Sequence, residues 1–440
     1  GIPVHGNQRI LNPFSRRDFL KTAAAATTGL SASLMTSGNF AYAGGSDVIR
    51  VGLVGAGGRG SGAARDCFES AEGVEIVAIG DLFRDRIEER REDLKEALGE
   101  GYKVTDDRIF SGFDAYKHVI DSDVDLVILA TPPGFRPIHL RYAVEAGKHV
   151  FVEKPCAVDP SGVRSVIESG EMAMAKGLSI VAGTQYRRQP SYVEAIKRIH
   201  EGRIGEVVSA AEYYLTGPIW LRPRKPGMSD MEWQCRNWYY FTWLSGDHIV
   251  EQFVHNLDTI DWVMQGPPVS AIGSGGRQAR VDPSFGHIWD NFNIQYTYAN
   301  EVRVTAMCRQ MENCYTNVSN RIIGTEGVAD IHPDFSRLTS HKGKVIFEHP
   351  EKGNNPYVQE HTDLIASIRA GQPLNEAKHV AYSTMTAILG REACYTGQEV
   401  TWEQLMKSEQ KLVPDTFAFG SLAEAPVAVP GITQVERLFS

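Results

Sequence analysis

Three ionisable side chains just past the middle of the chain share a spacing of four residues. Asp247, Glu251 and His255 stand at positions i, i+4 and i+8, and on one α-helix this spacing places all three on the same face. Because a nearby carboxylate raises the pKa of an imidazole, such a face could hold and tune a histidine base. Two other interpretations stay open: a solvated acidic helix face, and a metal site formed on spacing alone by His248, Glu251, Gln252 and His255.

Lys154 is a candidate cationic partner for such a histidine base. It follows residues 149–152, a short apolar run that predicts a buried strand, and open parallel sheets bind ligands at the carboxyl ends of their strands. When a hydride leaves a carbinol carbon, the hydroxyl proton must leave as well, and a base together with a cationic donor assists that step. His255 as base and Lys154 as donor therefore form a candidate catalytic pair, with Glu251 in support.

A glycine-rich turn indicates the group that would accept the hydride. Residues 55–60, Gly-Ala-Gly-Gly-Arg-Gly, have the spacing G-x-G-x-x-G between a predicted strand and a predicted helix. The first glycine permits the tight turn, the second lets the backbone approach a pyrophosphate, and the last lets the helix pack closely on the strand. The phosphates then meet free N–H groups at the helix N-terminus. The candidate cofactor-binding residues in this turn are Gly55, Gly57, Gly58, Arg59 and Gly60.

Asp81 indicates which dinucleotide the turn would bind. It stands 21 positions after Gly60, at the end of the next predicted strand. A carboxylate there binds the ribose hydroxyls and repels a 2′-phosphate, which favours NAD over NADP. Arg84 lies close enough in sequence to weaken that preference, so NADP stays open.

The elements around these residues predict an α/β fold. Buried-strand patterns at 48–54, 74–79, 124–130 and 149–152 alternate with helical patterns, which is typical of a Rossmann domain with a doubly wound parallel sheet. After about residue 160, longer alternating strands predict a C-terminal α/β domain with an open, mostly antiparallel sheet. A long helix near 377–395 is expected to pack back on the first domain. The predicted domains are 1–43, a signal peptide; 44–160, the Rossmann domain; 161–412, a substrate-binding and oligomerisation domain; and 413–440, a Pro- and Ala-rich tail that forms an extended arm.

An aromatic segment, residues 218–243, contains four of the seven tryptophans, interleaved with Arg, Asn and Tyr. Flat rings pack on the C–H faces of sugars, and a few polar groups fix orientation in such pockets. Because the segment directly precedes the His255 helix, we expect it to wall the substrate pocket. Core packing or a subunit contact is the alternative. The candidate substrate-binding residues from these two segments are Trp220, Arg236, Trp238, Asp247 and His248.

The N-terminal segment has the order of a twin-arginine signal peptide. Arg16-Arg17 precedes a mildly apolar stretch, and Ala41-Tyr42-Ala43 provides a small-x-small cleavage site. The apolar stretch is too short and too polar for a membrane span. We therefore expect export of the folded protein to the periplasm or an equivalent compartment, with no membrane association after processing. An amphipathic arm that stays attached is the alternative.

Composition and charge exclude other classes of protein. The formal charge of −9 does not favour a nucleic-acid binder, which would show a basic patch. The six cysteines lack C-x-x-C spacing, so they imply neither a zinc site nor a disulfide framework, and we expect Cys308 and Cys314 not to pair. We predict no bound metal.

The most specific motif of the chain is residues 146–155, Ala-Gly-Lys-His-Val-Phe-Val-Glu-Lys-Pro. Together with Thr131-Pro132-Pro133, His139 and residues 183–187, it resembles the glucose-fructose oxidoreductase, inositol dehydrogenase and rhizopine catabolism family, Gfo/Idh/MocA. The resemblance runs from about 48 to about 405. It implies a Rossmann domain followed by an α/β domain whose exposed sheet face is buried in a homodimer or homotetramer.

The resemblance also implies roles for single residues. In the family, a lysine that matches Lys154 contacts the reacting hydroxyl, and an aspartate precedes the histidine base by four residues. His255 matches that base, whereas Glu251 stands at the aspartate's position, which leaves the role of its carboxylate open. The family positions add Thr131, Pro132, Glu153 and Lys154 to the candidate cofactor site, and Tyr186 and Arg187 to the candidate substrate site.

These residues favour an NAD(P)-dependent oxidoreductase that acts on a CH–OH group of a sugar or polyol. Since no free NAD pool exists outside the cytoplasm, an exported enzyme would hold its cofactor through many turnovers. One alternative is a redox-neutral hydrolase or lyase that oxidises a glycoside transiently and returns the hydride. An alternative of another class is a non-catalytic ligand-binding protein with the same fold, against which the presence of both Lys154 and His255 argues.

Overall fold

The computed structural model describes residues 47–349 and 353–439. The predicted signal peptide, 1–43, with its arginine pair and cleavage site, lies outside the described residues. Within the described part of the chain, no helix is both long enough and apolar enough to cross a membrane.

The first sheet contains six parallel strands and is buried on both faces. The strands are β1 (Ile49–Val54), β2 (Val74–Asp81), β3 (Ile109–Ser111), β4 (Leu126–Leu129), β5 (His149–Val152) and β6 (Ile180–Ala182). Their order, β3-β2-β1-β4-β5-β6, is that of a doubly wound sheet. The predicted Rossmann sheet is therefore confirmed. Its last strand lies beyond residue 160, where the sequence placed the domain boundary.

Helices cover both faces of this sheet and one face of the second sheet. The helix α11 returns from late in the chain to pack on α1, and the long helix α12 packs on α5, β6 and the second sheet. The contact with β6 agrees with the predicted packing on the first domain, whereas the contact with the second sheet was not predicted. The helices are α1 (Gly58–Ser70), α2 (Arg84–Leu98), α3 (Ala115–Ile120), α4 (Arg136–Glu145), α5 (Pro160–Ala175), α6 (Pro190–His200), α7 (Asp230–Arg236), α8 (Thr242–Ser245), α9 (His248–Glu251), α10 (Val254–Met264), α11 (Pro356–Ala370), α12 (Ala377–Thr396) and α13 (Trp402–Lys407).

The second sheet is mixed and mostly antiparallel, as predicted. Its strands are β7 (Val207–Thr216), β8 (Ser270–Gly276), β9 (Asn291–Thr297), β10 (Arg303–Gln310), β11 (Asn317–Gly324), β12 (Gly327–His332), β13 (Phe335–Ser340), β14 (Val345–His349) and β15 (Val400–Thr401). The order is β14-β13-β12-β11-β7-β10-β9-β8-β15, and β7 with β10 is the parallel pair. Strand β9 alternates buried and exposed residues, which is the pattern of a sheet with one covered face.

The C-terminal tail, residues 412–439, is an extended arm on the surface of both domains. It has no strand and ends in a short 3₁₀ turn, Val435–Leu438, whose last residue is fully buried. The indole of Trp289 donates to the carbonyl of Ala428 at 3.1 Å. The tail therefore belongs to the folded structure. All six cysteines are free, so Cys308 and Cys314 do not pair.

Candidate active site

A cleft of about 630 Å³ runs along the carboxyl ends of the parallel strands and continues between the two domains. Every residue predicted to bind the cofactor lines it, including Asp81 and Glu153. Lys154, Glu251 and His255 line the same cleft. The proposed chemistry required the lysine and the histidine to share one cavity, and the fold meets that requirement.

The glycine turn has two kinds of glycine. Gly55 has φ +96°, and a Cβ on Gly60 would lie 1.8 Å from the carbonyl oxygen of Gly55, so both are needed for the turn and for close packing of α1. A Cβ on Gly58 would meet nothing within 4 Å, and one on Gly57 only the Arg86 side chain at 4.0 Å. Open space in front of a helix N-terminus is the shape that a dinucleotide pyrophosphate needs, so the turn fits that group.

Asp81 ends strand β2 and is held beside the glycine turn. Its carboxylate accepts hydrogen bonds from the backbone N–H of Ala56 at 2.8 Å and of Phe83 at 2.9 Å. Burial raises the pKa of Asp81, although Arg86 and the two N–H donors oppose that effect. Each carboxylate oxygen retains acceptor capacity for a ribose hydroxyl.

Arg84 lies away from this carboxylate. Its guanidinium pairs with Glu88 at 2.8 Å and donates to the Ile109 carbonyl. Two arginines of helix α2, which follows Asp81, line the cleft instead: Arg86 and Arg90.

An ion pair connects the glycine turn to the end of strand β5. The Nε of Arg59 donates to Oε1 of Glu153 at 2.5 Å, and the guanidinium lies 5.0 Å from the ring centre of Tyr357. Burial alone would raise the pKa of Glu153, but Arg59 and Arg136 lower it below its usual value. Glu153 is therefore an ionised carboxylate that orients Arg59 at the cleft.

Lys154 is held by Glu251 from the second domain. Its Nζ donates to the backbone carbonyl of Glu251 at 2.7 Å and lies 3.4 Å from Oε1 of the same residue. The other carboxylate oxygen, Oε2, is buried without a hydrogen-bond partner among the described residues. Burial raises the pKa of Glu251 although Lys154 and Arg136 oppose it. The longer side chain at the family's aspartate position thus contacts the lysine.

The helix expected across residues 247–258 is broken, so the predicted single face is wrong. Helix α9 ends at Glu251 and α10 begins at Val254, while Asp247 has φ +73° and caps α9. The Asp247 carboxylate accepts from the backbone N–H of Trp289 at 2.8 Å and from the Tyr395 hydroxyl. Asp247 is fully buried and off the cleft, so the assignment of this residue to the substrate site is also wrong.

The assignment of His248 to the substrate site is wrong as well. His248 is fully buried, its Nδ1 lies 3.1 Å from Asp247, and it does not line the cleft. Among the residues that the structure describes, no group of three or more His, Cys, Asp or Glu side chains could hold a metal ion.

His255 presents a neutral imidazole to the cleft. Burial and the Lys154 cation lower its pKa well below the usual 6.5. Asp258, one turn further on, opposes this effect, but its carboxylate binds Arg187 through two hydrogen bonds of 2.8 and 2.9 Å. An unprotonated imidazole next to an ammonium group can accept a proton from a substrate hydroxyl while the cation stabilises the oxygen.

Three further residues predicted to bind substrate lie outside the cleft. The guanidinium of Arg187 is hydrogen-bonded to the carboxylate of Asp258. Tyr186 stacks on Tyr192 with ring centres 4.3 Å apart and lies behind His255 at 5.1 Å. Arg236 pairs with Asp85 at 3.0 Å instead. Tyr186 and Arg187 therefore support the helix of His255 from behind, whereas Arg236 joins the two domains.

The aromatic segment splits into a cleft wall and a core. Trp220 and Trp238 line the cleft, with ring centres 5.7 Å apart, as predicted. Trp233 and Trp243 instead pack in a hydrophobic cluster behind them. Tyr239 adds a third aromatic side chain to the wall. The wall and the core-packing interpretation are thus each correct for part of the segment.

Sequence analysis missed Arg136 as a cleft residue. It begins helix α4, is nearly fully buried, and donates to the Pro155 carbonyl at 2.6 Å, while its Nε has no partner among the described residues. Burial lowers its pKa to about 10. The one signal in the sequence was a charged residue three positions after Pro133 and directly before a predicted helix. Tyr357 also lines the cleft without any local signal, whereas Gln185 and Gln252 line it from segments that the sequence had already singled out.

Fold and cleft together define an α/β protein that binds a dinucleotide. Residues 49–179 match the family described as "Oxidoreductase family, NAD-binding Rossmann fold", and residues 192–330 match the "GFO/IDH/MocA C-terminal domain". The chain belongs to this Gfo/Idh/MocA oxidoreductase family.

Similar proteins differ in their names. The chain is 30% identical to "Inositol 2-dehydrogenase 4" of Saccharopolyspora erythraea over 51% of this chain and 56% of that one. It is 35% identical to a "Glycosyl hydrolase family 109 protein" of Solibacter usitatus over 32% of this chain and 33% of that one. The matches thus span about half or less of these relatives. A levoglucosan dehydrogenase structure with NADH and L-sorbose has a TM-score of 0.64 at 18% identity, covering 80% of this chain and 98% of that one, which shows a shared fold.

Proposed function

We propose that this protein is an NAD(H)-dependent oxidoreductase that acts on a carbinol carbon of a sugar, a polyol or a derivative. The observation that carries the proposal is that Lys154 and His255 line the same cleft as the glycine turn. The names of similar proteins, an inositol dehydrogenase and a levoglucosan dehydrogenase, agree with this substrate class.

The two side chains have complementary roles in the proposed reaction. A bound NAD⁺ would supply the acceptor for the hydride of the carbinol carbon. The His255 imidazole takes the hydroxyl proton, for which its lowered pKa keeps it unprotonated at neutral pH. Lys154 donates a hydrogen bond to the same oxygen and stabilises the negative charge that develops there. In the reverse direction His255 returns the proton to the carbonyl oxygen.

The aromatic wall fits a sugar-like substrate. Trp220 and Trp238 present flat apolar rings, and Gln252 offers an amide whose oxygen already accepts from Tyr214 at 2.9 Å. Rings of this kind pack on C–H faces, while a small number of polar groups set the orientation of the ligand.

NAD is the proposed form of the cofactor. The fixed Asp81 carboxylate suits two ribose hydroxyls and disfavours a 2′-phosphate. Arg86 and Arg90 stand nearby and are the groups through which NADP would bind. Equal affinity for both nucleotides in a titration would contradict the preference for NAD.

A redox-neutral reaction on a glycoside is the second candidate, and the family 109 glycosyl hydrolase among the similar proteins favours it. Oxidation of a carbinol to a ketone makes the neighbouring C–H proton acidic, and loss of that proton expels a leaving group from the β position, which departs in protonated form. For a hydrolysis, water then adds to the double bond that was formed; for a lyase reaction it does not. The hydride finally returns to the ketone carbon, so that no net oxidation occurs. Net NADH would be formed in the first function and not in the second.

Export, cofactor retention and self-association belong to the same proposal. The Arg16-Arg17 motif supports twin-arginine export to the periplasm. A protein outside the cytoplasm that uses NAD needs to keep it bound between turnovers, and for net oxidation a second substrate, reduced in the same site, would return the NADH to NAD⁺. We further propose a homodimer or homotetramer formed through the open face of the second sheet.

The deciding experiment uses protein purified from the exported fraction. We expect bound dinucleotide by absorbance and mass, and a rise of enzyme-bound NADH absorbance at about 340 nm when a carbohydrate panel is added. Product from a glycoside without net NADH would select the second candidate. A protein with neither nucleotide nor turnover, but with sugar affinity, would be a binding protein and would sink both.

A further inference from the structure

A separate hydrophobic cluster joins the two domains where Asp81 marks one end of the cleft. Its Rossmann side is formed by Phe83, Phe113 and Phe135, all of which line the cleft. The opposite side is the aromatic segment, and the C-terminal tail adds Phe417 between them. This cluster therefore contains groups from three separate parts of the chain.

Two phenylalanines of the tail stand behind the cleft wall. The Phe417 ring lies 5.8 Å from Phe113, 5.3 Å from Phe135 and 6.4 Å from Trp243, measured between ring centres. The Phe419 ring lies 5.0 Å from Phe113, and a second contact of 6.0 Å joins it to Phe83. Neither tail ring lines the cleft itself. They pack against Phe83, Phe113 and Phe135, which do line it.

Hydrogen bonds fix the tail on either side of these rings. Before them, the backbone N–H of Leu412 donates to Asp159 at 2.7 Å, in the loop that follows Lys154. After them, Gly420 accepts from the N–H of Met231 at 3.1 Å, and the N–H of Leu422 donates to Asp230 at 3.1 Å. The tail thus runs from the Rossmann domain to helix α7 of the aromatic segment.

An ion pair joins the same two walls. Arg236 of helix α7 pairs with Asp85 at 3.0 Å, and its guanidinium lies 3.8 Å from the ring centre of Phe83. Phe83 therefore contacts both this arginine and the tail ring of Phe419.

The position of these rings relative to Asp81 indicates which part of a ligand they meet. Asp81 is the residue suited to the adenosine ribose, Phe83 follows it by two residues, and the N–H of Gly112 donates to the Asp81 carbonyl at 3.2 Å. Phe83 and Phe113 consequently wall the adenosine end. A bound nucleotide leaves when the walls of its site separate, and here that motion would break the tail's ring contacts.

We propose that Phe417 and Phe419 are positioning residues for the cofactor, and that the tail clamps the adenosine end so that the dinucleotide dissociates slowly. This inference rests on the proposed function, because it requires that the cleft binds NAD(H). It gives the tail, which lies outside the parts of the chain that match the family, a part in cofactor retention.

The test measures dissociation of NADH from the whole protein. Protein loaded with NADH is mixed with excess NAD⁺, and the decay of bound-NADH fluorescence gives the rate. We expect Phe417→Ala/Phe419→Ala to speed dissociation about tenfold, which corresponds to about 1.4 kcal/mol. The matched control is Val427→Ala/Val429→Ala, two exposed residues of the same tail that are not in the cluster, and its rate should equal that of the wild type.

A second readout separates the clamp from a general loss of structure. The pH dependence of turnover should be unchanged in Phe417→Ala/Phe419→Ala, because Lys154 and His255 are untouched. A changed profile, or a dissociation rate equal to that of the wild type, would overturn the proposal. If the double variant does not fold, Phe419→Ala alone carries the test, since its ring is 51% exposed; it should dissociate NADH about threefold faster, and no change would overturn the clamp. Wild-type protein that binds no dinucleotide would refute the proposed function as well.

Discussion

The two ends of the cleft differ in how their polar groups are satisfied. At the cofactor end, Asp81 accepts two backbone hydrogen bonds and Glu153 pairs with Arg59. At the reaction end, Oε2 of Glu251 and Nε of Arg136 are buried without partners among the described residues. The carboxylates of the cofactor end thus have protein partners and keep only spare acceptor capacity, whereas the reaction end holds buried polar atoms with no partner among the described residues.

This difference has a physical meaning. A buried polar group without a partner costs about 1–3 kcal/mol, and folded proteins tolerate that cost mainly at functional sites. The residues of the cofactor end are held in place by other protein groups, so substitutions there should mainly change the affinity for NADH. At the reaction end the substrate would supply the missing hydrogen-bond partners, so substitutions there should mainly change the turnover rate. Each prediction below tests that division.

The largest effect should come from Lys154→Ala. Loss of the ammonium group removes the donor to the substrate oxygen, and we expect turnover to fall about 10³-fold while NADH still binds. Turnover of the loaded protein and an NADH titration check both parts. Lys148→Ala is the control, because this lysine belongs to the same motif but does not line the cleft. Loss of NADH binding together with turnover would remove the distinction between the two ends.

His255→Gln should come next, with turnover about 10²-fold lower. The wild-type pH profile sharpens the assignment. Because the pKa of His255 is lowered well below 6.5, its base form persists as the pH falls through 6.5, and the rate should decline only under more acidic conditions. In His255→Gln that acidic decline should disappear. A wild-type rate that halves near pH 6.5 would contradict the burial of this base.

The cofactor end was predictable because its signal is local. A tight turn before a helix requires glycine at residues 55 and 60 whatever the rest of the chain does, and the structure shows both requirements as close approaches. Asp81 was predictable because it stands at the end of a strand that the sequence indicates. The parallel sheet was predictable for the same reason, from the alternation of strand and helix patterns.

The reaction end was predictable only in part because its geometry depends on distant residues. The spacing of Asp247, Glu251 and His255 suggested one helix, but Asp247 takes a positive φ to bind Trp289 and Tyr395, and periodicity does not reveal such partners. Arg236 was assigned to substrate for its neighbours in sequence, whereas its partner Asp85 is 151 residues away.

A pair of glycine variants tests the cofactor end with a smaller effect. Gly57→Ala adds a methyl group where only Arg86 lies within 4.0 Å, so we expect NADH affinity to fall about tenfold with an unchanged melting temperature. Gly60→Ala is the contrast, because its Cβ would lie 1.8 Å from Gly55 O; it should lower stability by about 1–3 kcal/mol. Equal melting temperatures for both variants would mean that the turn is not packed as described.

The smallest effect should come from Glu251→Asp, which restores the family's residue. Lys154 keeps the backbone carbonyl of residue 251 as its acceptor at 2.7 Å, whereas the 3.4 Å contact to the carboxylate is lost. We expect turnover to change less than about fivefold, because the weaker of the two contacts is removed and the His255 base is untouched. Glu251→Gln is the matched control: it keeps the length but removes the charge, and since Lys154 keeps the backbone carbonyl of residue 251 as its acceptor, its effect should be comparably small. A hundredfold loss in Glu251→Gln would show that the carboxylate itself takes part in proton transfer, and the reaction end would then need a second titrating group beside His255.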